Sequence, residues 1–556
     1  MWKESNNNMS YFTKTFGRKG TAYFVAGKRC GTDRKDMVFL LFLLTMAVYY
    51  GRRMFLLTPW YDELYTYYYF ISRGPLYAAI HWPLPNNHVG YSTLSACLGI
   101  FGCAPVALRG VSYLCSLGSL VLLYRISKKY LTEGVALVPV FVFAGMYMVN
   151  QLAVQGRGYA LVTFCYLSAL SSLYAIVEEK QNCWRNYMIF GTALVIALWA
   201  IPSSLYVVMP VCMIGGFILL LHRDYRRLLR LIIASLTSAV CTAGLYGILW
   251  LAIGSNLLSK TPDGPFYTAG HIDIILHAPF RALREGIDYM LDTPYIQSMT
   301  RQEFWSQAGH WLETLFGSQL SPWSGFLGNG MCVLLLTGLL SAAVCLARRP
   351  KKVFWEWYFV LTAVLLTLAL LMQCKLPYQR VFSFLGVWAA LLVGWLAQRL
   401  LICLEKLPDI RYKKGIKKGY KAFVYIAAGV SWAFVLADMS AYSIRDEQIA
   451  DAYEQIDIED SDILAVTDCD QEYLLLYLYG IQDEQITRNL EEADTVLLDK
   501  ALLGMPYGYR ESPEEWKFYL TQGDVEAKQA YIEANMTQIY ENWQFILFVG
   551  NQARTE

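Results

Sequence analysis

The sequence predicts a polytopic α-helical membrane protein of about eleven transmembrane helices. It adds helices lying along the outer surface and a small C-terminal extracytoplasmic α/β domain. Three observations carry that prediction. Of 556 residues, 56% are hydrophobic, 15% are aromatic and only 17% are charged, against about 25% charge in soluble chains. The apolar residues come in runs long enough to span a bilayer, which takes about 20 residues each. The charge is also divided along the chain: residues 1–441 carry a net +20 and residues 442–556 a net −18.

The apolar runs fall at 37–57, 107–124, 135–151, 158–177, 187–202, 204–221, 229–253, 326–346, 355–373, 382–402 and 422–440. Residues 1–36 are polar and basic, and no small-residue cleavage site follows the first run, which therefore reads as a retained anchor. Lys and Arg favour cytoplasmic loops. The N-terminal segment and the clusters at Arg125–Lys129, Arg223–Arg230, Arg348–Lys352 and Arg411–Lys421 all fall inside with eleven spans. That holds provided 88–103, NHVGYSTLSACLGIFG counted from Asn87, is a surface helix and not a span. Arg52 and Arg53 lie at the outer end of the first span, where they snorkel or meet an anionic ligand.

Within the transmembrane domain, 37–441, two long outer loops result, at 58–105 and 255–325. Long loops without structure of their own are uncommon and usually functional. The domain at 442–556 alternates helical patterns with the apolar runs ILAV, YLLLYLYG, TVLL and QFILFV. Its acidity suits the outside and argues against nucleic acid as a partner. Most of the thirteen cysteines sit in apolar runs, as small buried hydrophobes do, and no C-x-x-C pair suggests zinc.

The first outer loop opens TPWYDELYTYYYF. Asp62 and Glu63 stand there among aromatics beside the bilayer, where carboxylates are costly and so imply a purpose. Adjacent helical residues point about 100° apart. One carboxylate can therefore face a substrate while the other orients the loop. Tyr65, Tyr67, Tyr68 and Tyr69 read as an interfacial aromatic belt.

An Asp-Glu pair just after the first span, followed by a His-led surface helix, resembles the GT-C glycosyltransferases. The likeness is greatest to the protein O-mannosyltransferase and aminoarabinose transferase branch. The surface helix there often begins H-P-P-L; here Asn86-Asn87-His88-Val89 stands in that place. The next span tends to open with an Arg after F-G, matched by Phe101, Gly102 and Arg109. An E-A-R-x-Y pattern is matched by Gln155-Gly156-Arg157-Gly158-Tyr159, with Gln and Gly where the family has Glu and Ala. A late basic, Pro-containing loop is matched by KLPYQR, with Lys375, Pro377 and Arg380. The likeness covers 37–180 well and 355–402 loosely. The 255–325 loop is too short for the β-trefoil repeat domain of the eukaryotic enzymes, which implies a bacterial version.

The resemblance implies an inverting transferase that moves a sugar from a polyprenyl-phosphate donor to a protein, lipid or cell-envelope glycan on the outer face. Asp62 would be the general base, with Glu63 beside it. Arg157, Lys375, Arg380, His88, Tyr159 and Arg53 would bind the donor's phosphate and sugar. The residues agree with this: Arg presents a planar fork to phosphate, and a phosphate leaving group needs stabilising cations and no general acid. No cofactor is expected. A divalent metal is conceivable at His271, Asp273 and His277, whose spacing matches no standard zinc signature. The alternatives are an oligosaccharyltransferase-like enzyme, or a lipid-linked-sugar flippase, which would more usually show internal repeats and midplane charges.

Overall fold

A computed structural model describes residues 34–82, 87–131, 135–292, 298–321, 328–348, 354–406, 413–438, 444–456, 462–467, 469–479, 481, 483–503 and 522–550. Most of the basic N-terminal segment, Asn86 and parts of the basic clusters near 350 and 411 lie outside the described residues. The chain divides after Phe42, and residues 43–556 form the unit that holds every candidate site residue.

Among the described residues, eight helices are long and apolar enough to cross a bilayer. They are Lys35–Leu56, Ala104–Tyr130, Tyr159–Val177, Pro202–Leu221, Tyr225–Lys260, Gly328–Arg348, Phe354–Gln373 and Leu385–Leu404. These coincide with eight of the expected spans. The other three differ for local reasons. The expected 187–202 is a single helix of 17 residues, Trp184–Ala200. Pro202 stops it by forcing Ile201 into an extended conformation, φ −148° and ψ 124°. The expected 422–440 is the later part of Lys413–Asp438, whose first turns carry five lysines.

The expected span 135–151 is not one helix. It is two short ones, Val138–Ala144 and Tyr147–Leu152, broken at Gly145 and Met146. A break inside an apolar layer needs its carbonyls satisfied. The Asn150 amide does this by donating to the carbonyls of Ala144 and Met146.

The stretch after His88 forms the helix Val89–Leu98 and a 3-10 turn, Gly99–Phe101. That is too short to span. One side is buried at Val89, Tyr91 and Ala96, while Ile100 and Phe101 are exposed, as suits a helix lying on a surface. Gly102, at φ +64°, turns the chain into the next long helix. The helix Tyr225–Lys260 runs past its expected end at 253. Its 36 residues reach about 54 Å. Its later turns carry the helix Pro279–Asp292 in backbone contact, because Gly254 faces the Ala282 backbone and Gly286 faces the Trp250 backbone. Any side chain at either glycine would overlap a carbonyl.

The C-terminal part holds a five-stranded sheet of β1 (Leu464–Val466), β2 (Ile486–Thr487), β3 (Thr495–Asp499), β4 (Met536–Glu541) and β5 (Phe545–Gly550). The strand order is β2-β1-β3-β5-β4. β1 runs parallel to β2 and β3, and β5 runs antiparallel to β3 and β4. Side chains alternate across a strand. Val496 and Leu498 therefore meet Ile532 of the helix Gln522–Asn535 on one face. Leu497 joins Leu464, Phe545 and the helices Ile444–Tyr453 and Cys469–Tyr479 on the other.

That second core does not stop at the domain. It continues into Leu64, Tyr65, Phe70 and Ile71 of the first outer loop. Tyr473 stacks on Tyr68 and meets Tyr61, Tyr65 and Tyr69, with centroids 5.9–6.3 Å apart, and its hydroxyl donates to Tyr69 at 2.9 Å. Tyr477 meets Tyr67 edge-on at 5.5 Å. The tyrosines expected to form an interfacial belt are thus the seat of the C-terminal domain.

Candidate active site in the first outer loop

The helix Tyr61–Thr66 places Asp62 and Glu63 in its first turn, where carboxylates suit the positive end of the helix dipole. Their side chains go different ways. Glu63 points inward and is 2% exposed. Arg109, on the helix Ala104–Tyr130, reaches it with both arms of its fork, Nε to Oε1 at 2.8 Å and Nη2 to Oε2 at 3.0 Å. The Gly156 N–H donates to Oε1 at 2.6 Å and the Trp60 N–H to Oε2 at 3.0 Å. The third guanidinium nitrogen, Nη1, donates to the carbonyls of Met54 and Leu57. One buried ion pair thereby ties together the end of the first span, the loop helix, the second span and the 155–158 segment. A side chain at Gly156 would overlap Leu108 at 2.4 Å. This explains the glycine where the family pattern has alanine.

Asp62 faces outward and keeps 18% of its side chain exposed. Its Oδ2 lies 3.2 Å from Nη1 of Arg380, on the 3-10 turn Gln379–Phe382. The Arg380 side chain is 27% exposed and lies over the Tyr378 ring. Behind this pair stands Arg157, 3% exposed. It donates to Thr66 Oγ1 at 2.6 Å and reaches the Asp62 carbonyl at 3.4 Å, and its Nη2 is 3.1 Å from His88 Nε2. Tyr159 begins its helix and meets the His88 ring edge-on at 5.3 Å.

His88 is held by the Gly158 N–H, which donates to Nδ1 at 3.0 Å. The Gly158 N–H at Nδ1 and the Arg157 guanidinium at Nε2 both approach the ring as donors, which favours its neutral form. Burial, then the positive charge of Arg157 and Arg380, hold His88 well below the ordinary imidazole value. It is neutral at pH 7. The neutral ring helps hold the Arg157 guanidinium in place behind Asp62 and Arg380.

The structure thus gathers Asp62, Arg380, Arg157, His88 and Tyr159, from four separate stretches of chain, with Glu63 directly beneath. Arg53 donates to the Tyr49 hydroxyl at 2.8 Å, one turn back on its own helix. Lys375 is half-buried just after Cys374, whose φ is +50°. Trp311, on the helix Arg301–Glu313, is buried and donates to the Pro377 carbonyl at 2.8 Å, bracing the loop that carries Arg380. His277 and Asp273 pair with each other at 2.8 Å on an exposed helix. Among the described residues no group of three or more His, Cys, Asp or Glu side chains is placed to hold a metal ion. Sequence reasoning marked Arg109 as a motif residue and gave it no task. The signal was there: a buried Arg on a span requires a carboxylate partner.

An apolar cavity of about 540 Å³ is lined by Phe382, two residues after Arg380. Phe382 and Trp311 form one wall, and Leu335, Leu366 and Trp388 of the neighbouring spans form others.

The accessible carboxylate of Asp62, backed by cations, is thus set among helices long and apolar enough to cross a bilayer, in a fold shared with solved structures. Residues 89–277 match the family described as dolichyl-phosphate-mannose-protein mannosyltransferase. No curated protein sequence matches the chain. Among solved structures, ArnT from Cupriavidus metallidurans in the apo state aligns with a TM-score of 0.51 and 11% identity, over 93% of this chain and 98% of that one. The same protein bound to undecaprenyl phosphate gives a TM-score of 0.50, 12% identity and the same coverage. The archaeal oligosaccharyltransferase AglB from Archaeoglobus fulgidus, solved with an inhibitory peptide and a dolichol-phosphate, gives 0.47 and 11% over 94% of this chain and 75% of that one.

Proposed function

We propose that the chain transfers a sugar from a polyprenyl-phosphate donor to an acceptor hydroxyl on the outer face of the cell membrane, with inversion at the anomeric carbon. The observation that carries this is the Asp62–Arg380 contact, an accessible carboxylate 3.2 Å from an accessible guanidinium, on the same short turn as Phe382, which lines an apolar cavity. The cavity suits an isoprenoid tail and Arg380 suits its phosphate. Undecaprenyl phosphate bound to ArnT supports the same donor class.

The donor phosphate competes with Asp62 for Arg380. Once the phosphate takes the guanidinium, the Asp62 carboxylate is free to accept the acceptor's proton. The acceptor oxygen then forms its bond to the anomeric carbon as the bond to the phosphate oxygen breaks. The polyprenyl phosphate leaves with the electron pair, its charge stabilised by Arg380 and, behind it, by Arg157, which His88 helps to position. Lys375 and Arg53 remain candidates for the donor's outer contacts, and Tyr159 supports the His88 ring. No cofactor enters this reaction.

In this reading the N-terminus is cytoplasmic and the domain after Tyr442 lies outside. A reporter fused after the last residue should be active only when it functions outside the cytoplasm. Cytoplasmic activity from that fusion would reverse the topology. A deletion strain compared with its parent tests the activity. It should accumulate a polyprenyl-linked sugar and lose one sugar from a surface protein, lipid or glycan. Unchanged pools of both would sink the proposal.

A further inference from the structure

The first outer loop and the C-terminal domain enclose a second cleft, of about 290 Å³, beside their tyrosine contact. Tyr68, Tyr69 and Tyr473 wall it, and Arg73, Arg488 and Glu472 edge it. The rings of Tyr68 and Tyr473 stack at 22° with centroids 5.9 Å apart; Tyr473 is buried, and the half-buried Tyr68 and Tyr69 supply the accessible aromatic surface. Arg488 donates to Glu472 at 3.1 Å. Arg73 donates its Nε–H to the Tyr68 carbonyl at 3.3 Å, and its guanidinium lies over the Tyr77 ring. Both arginines are exposed. Tyr68 follows Asp62 by six residues of continuous helical chain, about 9 Å along the axis.

A sugar ring has an apolar C–H face and a rim of hydroxyls. The face packs on an aromatic ring, and paired hydroxyls match planar guanidinium and carboxylate groups. The cleft offers both, a short way from the proposed base. A peptide would instead seek a free strand edge. The strand at this cleft, β2, is two residues long and offers little of one.

We propose that this cleft is a carbohydrate-binding subsite, holding a glycan segment of the acceptor a short distance from the hydroxyl that Asp62 activates. Its catalytic consequence rests on the glycosyltransferase reading above; the binding does not. The subsite also gives the C-terminal domain a task, because half of the cleft is built from it.

The test uses the full-length protein in nanodiscs, applied to an array of neutral and acidic oligosaccharides and to a parallel array of random peptides. The protein should bind a subset of the oligosaccharides. The double variant Arg73→Gln/Arg488→Gln should lose at least tenfold of that signal. Asp62→Asn, and Arg284→Gln on a distant exposed helix, should keep it. Oligosaccharide binding equal in the double variant and the parent overturns the proposal. So does the absence of oligosaccharide binding, or arginine-dependent capture of peptides in its place. Should Asp62→Asn also retain full sugar transfer, the reading of Asp62 fails while an arginine-dependent sugar signal still upholds this subsite.

Discussion

Asp62 and Glu63 are neighbours in sequence with opposite environments. Glu63 accepts four hydrogen bonds and is shut away with Arg109. Asp62 is partly open to solvent, and its cation comes from a separate loop more than 300 residues later. A bidentate, buried carboxylate cannot turn toward a substrate without leaving Arg109 uncompensated, which is strongly disfavoured. An exposed pair is weakly held and can exchange one partner for a ligand. The difference separates the two roles: Glu63 builds the loop, and Asp62 is the one available for chemistry.

Substitutions at these acids and their partners test that separation, in descending order of expected effect. Asp62→Asn keeps the shape and removes the basicity. Transfer should fall about 10²–10⁴-fold, or roughly 3–5 kcal/mol of barrier. Donor affinity should hold or rise, since Arg380 loses its competitor. Transfer within about threefold of the parent, against that expectation of at least 10²-fold, would move the base elsewhere. Arg109→Met should cost about 3–5 kcal/mol of stability by stranding Glu63. Arg109→Met combined with Glu63→Gln should recover much of it, read as melting temperature in detergent. A double variant no more stable than Arg109→Met alone would contradict the pairing. Arg380→Gln should weaken donor binding by about 2–4 kcal/mol. Arg157→Gln should also disturb the loop through Thr66. Titration with polyprenyl phosphate separates the two, and unchanged affinity in Arg380→Gln removes that residue from the donor site.

What the sequence made legible follows from what is local. Apolar runs announce spans, and among the described residues eight of the eleven became helices long and apolar enough to cross a bilayer. The failure at 135–151 came from a composition that is apolar throughout yet broken at Gly145, where only Asn150 hinted that freed carbonyls needed a donor. The Asp-Glu pair was visible because carboxylates beside a bilayer are conspicuous, and the angle between them already implied divided labour. Which acid faces inward was not visible, because Arg109 and Gly156 reach Glu63 from 46 and 93 residues away. The tyrosine stripe misled for a related reason. An aromatic surface that meets lipid and one that meets a domain have the same composition, and the partners that distinguish them, Tyr473 and Tyr477, lie some 400 residues on.

The smallest expected effect concerns the residue between the two acids' supports. His88 is buried against Arg157 and Arg380, and its folded pKa lies well below that of an exposed imidazole, about 6.5. An unfolded chain therefore binds a proton at His88 in mildly acidic solution while the folded chain does not. Stability is complete above about pH 6.5 and declines as pH falls toward the folded value. The decline falls in the range from about pH 7 to about pH 5.5, where an exposed imidazole takes up its proton. His88→Asn keeps an acceptor for the Gly158 N–H and carries no titrating group. Its melting temperature should depend less on pH across that range than the parent's. A bound anion should also blunt the parent's decline, because phosphate beside Arg157 and Arg380 offsets the charge that opposes protonation. Equal pH slopes for parent and His88→Asn, without donor, would show that His88 is not the neutral, cation-facing ring that the donor site requires.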